Sequence, residues 1–159
     1  MKLYHGSNLI IEKIDLSKGR PAKDFGRGFY LSDNNEQAGK MAENVVRRKG
    51  GEPIVSVFEC PDDLLESNDL KVLCFKGYSE AWLDFILQNR ANRSLTQAHD
   101  YDIVYGPIAD DAVAVSIALY TDEFISKEEL VRRLKYRRET YQYFFATEKA
   151  VTKLTASHE

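Results

Sequence analysis

The chain has 159 residues, of which 43% are hydrophobic and 30% are charged, and its formal net charge is −3. This balance excludes a disordered chain, and the net negative charge argues against binding of nucleic acid by the whole surface. The length fits a single domain, which we place over residues 1–159.

The elements predicted from residue periodicity do not alternate regularly between strand and helix. Asp33 with Glu36, and Ser126 with Glu129, resemble capping boxes at helix starts. Residues 110–124 fit a strand or a buried helix, and we favour the helix. In chain order we predict strands at residues 2–7 and 28–32, a helix at 33–49, strands at 53–60 and 70–75, a helix at 79–91, a strand at 102–107, helices at 110–124 and 126–138, a strand at 141–147 and a helix at 148–154.

This irregular order predicts an α+β fold rather than a doubly wound parallel sheet. Gly26 and Gly28 form a lone G-x-G that precedes a strand and lacks the third glycine of a dinucleotide-binding loop. The Rossmann interpretation is therefore excluded. Paired glycines ahead of a strand indicate instead a bend, or a place where the backbone lies close to another group.

Cysteines and histidines are too scattered to predict a metal site. Cys60 and Cys74 match neither a secreted disulfide framework nor zinc-ligand spacing, and the sequence does not decide whether they pair. The histidines are His5, His99 and His158. The opening segment lacks the apolar core of a signal peptide, and no apolar run could cross a membrane. We therefore expect a cytoplasmic protein with no metal and no membrane partner.

Three segments of the chain resemble the ADP-ribosyltransferase superfamily. They are YHGS at residues 4–7, FGRGFYLSDNNEQAGKMA at 25–42 and YQYFF at 141–145. The closest likeness is to the diphtheria-toxin and poly(ADP-ribose) polymerase branch, whose signature is His, Tyr and Glu on three separate strands. The compact size and the closing ATEKA at 146–150 resemble small bacterial toxin-like members of that branch.

The resemblance implies a split, mainly antiparallel β-sheet with surrounding helices and NAD as co-substrate. It implies that His5 bonds the adenosine-side ribose and that the backbone of Gly6 holds the nicotinamide carboxamide. Tyr30 would stack on the nicotinamide ring, a cation–π contact worth on the order of 2 kcal/mol when desolvated. Gly26 and Gly28 would let the strand bend over the cofactor.

Three further positions are predicted cofactor contacts through the same resemblance. Arg27 is either a solvated loop charge or a contact to the pyrophosphate. Ala38 and Met41 fall where many relatives carry a serine that bonds the carboxamide and a second aromatic ring. Both also fit the core-facing stripe of the predicted helix.

Gln142 falls where the family carries the glutamate that bonds the 2′-hydroxyl of the nicotinamide ribose. A charge there stabilises the oxocarbenium-like state as nicotinamide leaves. Glutamine can accept the same hydrogen bond but brings no charge. Glu148 and Glu139 are the alternative carboxylates, and Gln142 is favoured over both.

The resemblance implies an NAD-dependent mono-ADP-ribosyltransferase that would modify an unidentified protein or nucleic acid. The bacterial resemblance implies a toxin with a small antitoxin protein as partner. Two alternatives stay open: an NAD glycohydrolase, and a catalytically weak module that binds NAD, ADP-ribose or a protein. The basic run at residues 127–138 is interpreted as a solvated helix face, with contact to a macromolecule or an acidic partner as the alternative.

Overall fold

The computed structural model describes residues 1–135 and 137–157, so that Tyr136, His158 and Glu159 lie outside the description. Within these ranges the chain forms seven strands and five α-helices, an α+β architecture. The strands are β1 Lys2–Ser7, β2 Phe29–Leu31, β3 Ile54–Glu59, β4 Val72–Cys74, β5 Ile103–Pro107, β6 Tyr141–Phe145 and β7 Thr155–Ala156. The helices are α1 Asn35–Lys49, α2 Glu80–Ala91, α3 Asp111–Thr121, α4 Lys127–Leu134 and α5 Glu148–Val151. Short 3-10 helices cover Leu16–Lys18 and Leu64–Glu66.

The strands form two sheets that are mainly antiparallel. One sheet has the order β1-β3-β7 and the other β2-β6-β5-β4. Strands β4 and β5 run parallel, whereas the other neighbouring pairs are antiparallel. A lone bridge joins the sheets, because the N–H groups of Tyr4 and Ser32 donate to each other's carbonyl oxygens at 2.7 and 2.8 Å.

Strand β6 separates two hydrophobic clusters because its side chains alternate between the faces of the sheet. Tyr143 and Phe145 belong to a cluster shared with Leu3 and Phe58 of the other sheet. Phe144 points the opposite way, into a cluster formed mainly with residues of α2, α3 and α4. Helix α1 packs separately, against β1 and β3.

Helix starts agree with the sequence in most places. Ser79 and Ser126 cap α2 and α4 by accepting hydrogen bonds from backbone N–H groups, both at 3.1 Å. The prediction for α1 was wrong by one residue, because Asn34 rather than Asp33 provides the cap, accepting from the N–H of Gln37 at 3.1 Å. Residues 110–124 contain helix α3, as favoured above. In the described part of the chain, each helix is too short or too polar to cross a bilayer.

Candidate functional site

A cleft of about 600 Å³ lies between the two sheets, beside helix α1. Its walls come from β1, the loop that leads to β2, β2 itself, α1 and the start of β6. This volume is within the range of small-molecule sites. Six of the seven predicted site residues line it: His5, Gly6, Tyr30, Ala38, Met41 and Gln142.

His5 offers the cleft a hydrogen-bond acceptor. Its Nδ1 lies 2.7 Å from the carbonyl oxygen of Tyr30, and because a carbonyl can only accept, Nδ1 carries the proton. Burial lowers the pKa of His5 against the opposing effect of this hydrogen bond, and the charge of Lys23 lowers it further. The imidazole is therefore neutral at pH 7, and its Nε2, which none of the described residues bonds, keeps a free lone pair. The ring stacks on Phe29 with centroids 4.2 Å apart.

Tyr30 provides an aromatic surface whose orientation is fixed at its hydroxyl. The hydroxyl donates to the carbonyl of Gly26 at 2.7 Å and accepts from the N–H of Phe25 at 3.1 Å. Burial raises the pKa of Tyr30, so the hydroxyl stays protonated. Phe144 packs against the ring with centroids 4.8 Å apart, and the Nζ of Lys23 lies over the ring, 5.5 Å from its centroid. Tyr30 is thus suited to stacking rather than to proton transfer.

The protein's own fold requires glycine at positions 6, 26 and 28. A Cβ on Gly6 would overlap the carbonyl oxygen of Ala38 in α1. A Cβ on Gly28 would lie 2.5 Å from both the Phe144 ring and the carbonyl oxygen of Phe145. Gly26 has a φ of +107°, which favours glycine. Gly28 therefore allows a close approach of the backbone and Gly26 allows a turn, and ligand contact at Gly6 stays a prediction.

Arg27 stabilises the loop that leads to β2 and does not line the cleft. Its Nε donates to the carbonyl of Gly19 at 2.8 Å, and a terminal nitrogen donates to the carbonyl of Ser17 at 2.6 Å. These two carbonyls engage two of its five N–H donors, and the side chain does not line the cleft. The sequence could not separate the two roles, because the residue type suits both.

Helix α1 brings Ala38 and Met41 to the cleft in different environments. Ala38 is 2% exposed and its carbonyl lies against Gly6, so it serves the packing of α1 on β1. Met41 is 42% exposed, so its side chain is available to a ligand. A thioether can make a favourable contact with an aromatic ring, although a weaker one than an aromatic stack.

Gln142 lines the cleft, whereas the two alternative carboxylates do not. Gln142 precedes Phe144 by two residues on β6, and Phe144 pairs with Tyr30, so Gln142 projects from the same face of the sheet as Tyr30. Glu139 accepts a hydrogen bond from the hydroxyl of Tyr141 at 2.5 Å. Glu148 is exposed in the first turn of α5.

A group of basic residues lines the cleft and was not recognised in the sequence. We call it the basic cluster, and it consists of Lys13, Lys18, Arg20, Lys23, Arg48 and Lys49. The cleft also contains Asp15 and Asp24, but Asp15 caps the first 3-10 helix and Asp24 pairs with Arg90 at 2.7 Å. The cleft is therefore positively charged although the chain as a whole is negative. The high content of lysine and arginine in residues 13–23 was the feature of the sequence that could have predicted this cluster.

The loop that carries Tyr30's hydrogen-bond partners is anchored by the segment after α2. The Nε2 of His99 donates to the carbonyl of Phe25 at 2.7 Å, and its Nδ1 accepts from the N–H of Tyr101 at 3.1 Å. The side chain of Gln97 bonds both backbone groups of Arg27. Only the neutral imidazole can make both bonds of His99, and burial accordingly lowers the pKa of His99.

The described residues of the second basic run, 127–135 and 137–138, do not line the cleft. In its described part, Lys127 pairs with Asp84 at 2.7 Å, and Arg132 and Arg133 both bond Glu129. These are partly exposed ion pairs, as expected for a solvated helix face.

The comparisons with known proteins establish a family but no activity. The chain matches no curated protein. Residues 1–156 match the family model described as "Protein of unknown function (DUF3990)". Because this match covers almost the whole chain, the chain belongs to the DUF3990 family.

Proposed function

We propose that the cleft binds NAD and that the protein is a mono-ADP-ribosyltransferase acting on a macromolecule. The observation that carries the proposal is the meeting of His5, Tyr30 and Gln142, from three separate strands, in one positively charged cleft. A positively charged cleft attracts the negatively charged diphosphate of NAD. The role as a toxin with a small antitoxin partner is part of the proposal through the resemblance alone. The cytoplasmic location is an expectation from the sequence.

Each of these residues has a role that its geometry permits. The free Nε2 of His5 can accept a hydrogen bond from a ribose hydroxyl, and the ring of Tyr30 can stack on the nicotinamide cation. The side-chain oxygen of Gln142 can accept a hydrogen bond from the 2′-hydroxyl of the nicotinamide ribose. In the reaction, the bond between ribose C1′ and the nicotinamide nitrogen breaks and its electron pair leaves with nicotinamide. The acceptor's nucleophile then bonds C1′ and loses its proton.

A binding module is the second candidate, and a specific observation favours it. The carboxylates of the cleft, Asp15 and Asp24, are engaged in a cap and an ion pair, and Gln142 is neutral. Without a negative charge beside the ribose, cleavage loses part of its transition-state stabilisation. An NAD glycohydrolase uses the same residues as the transferase and differs only in the nucleophile, which is water.

The experiment compares the wild type with Tyr30→Ala and a matched control, Tyr105→Ala. Tyr105 lies outside the cleft and stacks on Tyr141, so its removal also costs an aromatic contact. We expect the wild type and Tyr105→Ala to release nicotinamide from NAD, and Tyr30→Ala to release none.

The outcomes separate the candidates. Full activity of Tyr30→Ala would overturn the assigned site. Binding of NAD by calorimetry without release of nicotinamide would leave the binding module. Release that proceeds at the same rate without any protein or nucleic-acid acceptor would identify the glycohydrolase, whereas ADP-ribose attached to an acceptor, detected by mass spectrometry, identifies the transferase.

A further inference from the structure

Lys23 covers the aromatic surface on which nicotinamide would stack. Its Nζ lies over the ring of Tyr30, 5.5 Å from the centroid, while Phe144 packs against the same tyrosine. Both Lys23 and Tyr30 line the cleft. A planar ring that stacks on Tyr30 from the cleft needs the space that this ammonium group occupies, so Lys23 must move before such a ligand binds.

The ammonium group of Lys23 is not neutralised by an anion. Its neighbours include Arg20 and Arg48, and Asp24 is paired with Arg90. Among the described residues, no carboxylate lies within ion-pair distance of Lys23. Although Lys23 is an exposed residue, partial loss of solvent and the charges of Arg20 and Arg48 lower its pKa against the opposing charge of Asp24. Within the described part of the chain, the ammonium group contacts the π-face of Tyr30.

We propose that Lys23 determines ligand specificity by moving from the ring of Tyr30 to the diphosphate of an incoming dinucleotide. The inference rests on the proposed function, since it takes the ligand to be NAD. A diphosphate supplies the anion that Lys23 lacks, and the departure of Lys23 uncovers Tyr30 for the nicotinamide ring. A nicotinamide compound without phosphate offers no such anion, and its own positive charge is repelled by the ammonium. The cleft therefore selects nicotinamide compounds that carry a diphosphate.

Calorimetry with two partial ligands tests this coupling. ADP-ribose carries the diphosphate without nicotinamide, and nicotinamide riboside carries the cationic ring without phosphate. The variant is Lys23→Met, which keeps an unbranched side chain and removes the charge. The control is Lys76→Met, because Lys76 is an exposed lysine outside the cleft. Thermal unfolding of each variant shows that the fold is retained.

We expect Lys23→Met to change the two affinities in opposite directions. Its affinity for ADP-ribose should fall by about tenfold to a hundredfold, as for loss of one charge-assisted hydrogen bond. Its affinity for nicotinamide riboside should rise severalfold, because the repelling charge over Tyr30 is gone. Lys76→Met should bind both ligands as the wild type does.

Several results would overturn the proposal. They are unchanged affinities in Lys23→Met, a fall in both affinities, and failure of the wild type to bind ADP-ribose. The proposed function is tested separately by release of nicotinamide. If the two affinities change in opposite directions but no nicotinamide is released, the role of Lys23 is supported and the enzyme is refuted. If nicotinamide is released but Lys23→Met leaves both affinities unchanged, the enzyme is supported and the role of Lys23 is refuted.

Discussion

Replacing Gly6 with alanine tests why β1 carries a glycine in the cleft. The added Cβ would overlap the carbonyl oxygen of Ala38 and lie 2.6 Å from the backbone nitrogen of Ala42. Both obstacles are backbone atoms of α1, so no change of rotamer can relieve the overlap. Ala38 and Ala42 are themselves buried, which leaves the helix little room to shift. Helix α1 must then move away from β1.

The expected cost is large for a single methyl group. Overpacking of a well-packed interior costs about 1–3 kcal/mol, and occasionally more. Because the clash at Gly6 is with backbone, we expect about 3 kcal/mol, the upper end of this range. In a domain of this size, 1 kcal/mol corresponds to roughly 2–4 °C, so the unfolding midpoint should fall by about 6–12 °C.

Gly39→Ala is the matched control on the same helix. A Cβ at Gly39 would meet no atom within 4 Å, and alanine is favoured over glycine in a helix interior by about 0.5–1 kcal/mol. Circular dichroism with heat and with urea should therefore show Gly39→Ala above the wild type and Gly6→Ala below it. A Gly6→Ala protein of wild-type stability would refute the packing argument. If that protein also lost affinity for NAD, ligand contact would be the reason for the glycine.

Four further predictions concern the cleft, the loop that supports it and the two cysteines. Tyr30→Phe keeps the ring but leaves the N–H of Phe25 and the carbonyl of Gly26 without their partner. The free energy of unfolding should therefore fall by about 1–3 kcal/mol while nicotinamide release persists. Loss of release would give the hydroxyl a role in the reaction. Gln142→Glu should increase nicotinamide release by about a hundredfold or more if a charge beside the ribose is what the cleft lacks, and an unchanged rate would contradict that reasoning. The pKa of His99 is lower in the folded chain than in the unfolded chain, so the free energy of unfolding measured in urea should fall as pH drops below about 6.5. His99→Gln should reduce this fall, and an identical pH profile would exclude the assigned contribution. A thiol reagent should modify exposed Cys74 well before buried Cys60, and equal rates would contradict the burial of Cys60.

Most of the secondary structure was predictable because its signals are local. Ser79 and Ser126 cap helices where the sequence placed them. Asp33 and Asn34 are adjacent residues that both favour the cap position, so only the folded backbone decides between them. Strand β7 was missed because a two-residue strand has no periodicity, and its existence depends on pairing with β3.

The site was less predictable, since its parts meet only through the tertiary fold. The basic cluster joins residues 13–23 to Arg48 and Lys49 from the end of α1, and no pattern in the sequence links the two segments. Arg27 has the residue type of a phosphate ligand, but the carbonyl groups that hold it belong to its own loop. The covering of Tyr30 by Lys23 likewise depends on the path of that loop.

The position of β6 between β2 and β5 has a consequence for how the protein is made. Strand β6 is translated after every other strand that lines the cleft, yet it supplies both Gln142 and the Phe144 that packs on Tyr30. Until residues 141–145 leave the ribosome, β2 has no neighbour in its own sheet. We therefore expect the cleft to be assembled late in synthesis, so that a chain interrupted before this strand lacks a complete cleft.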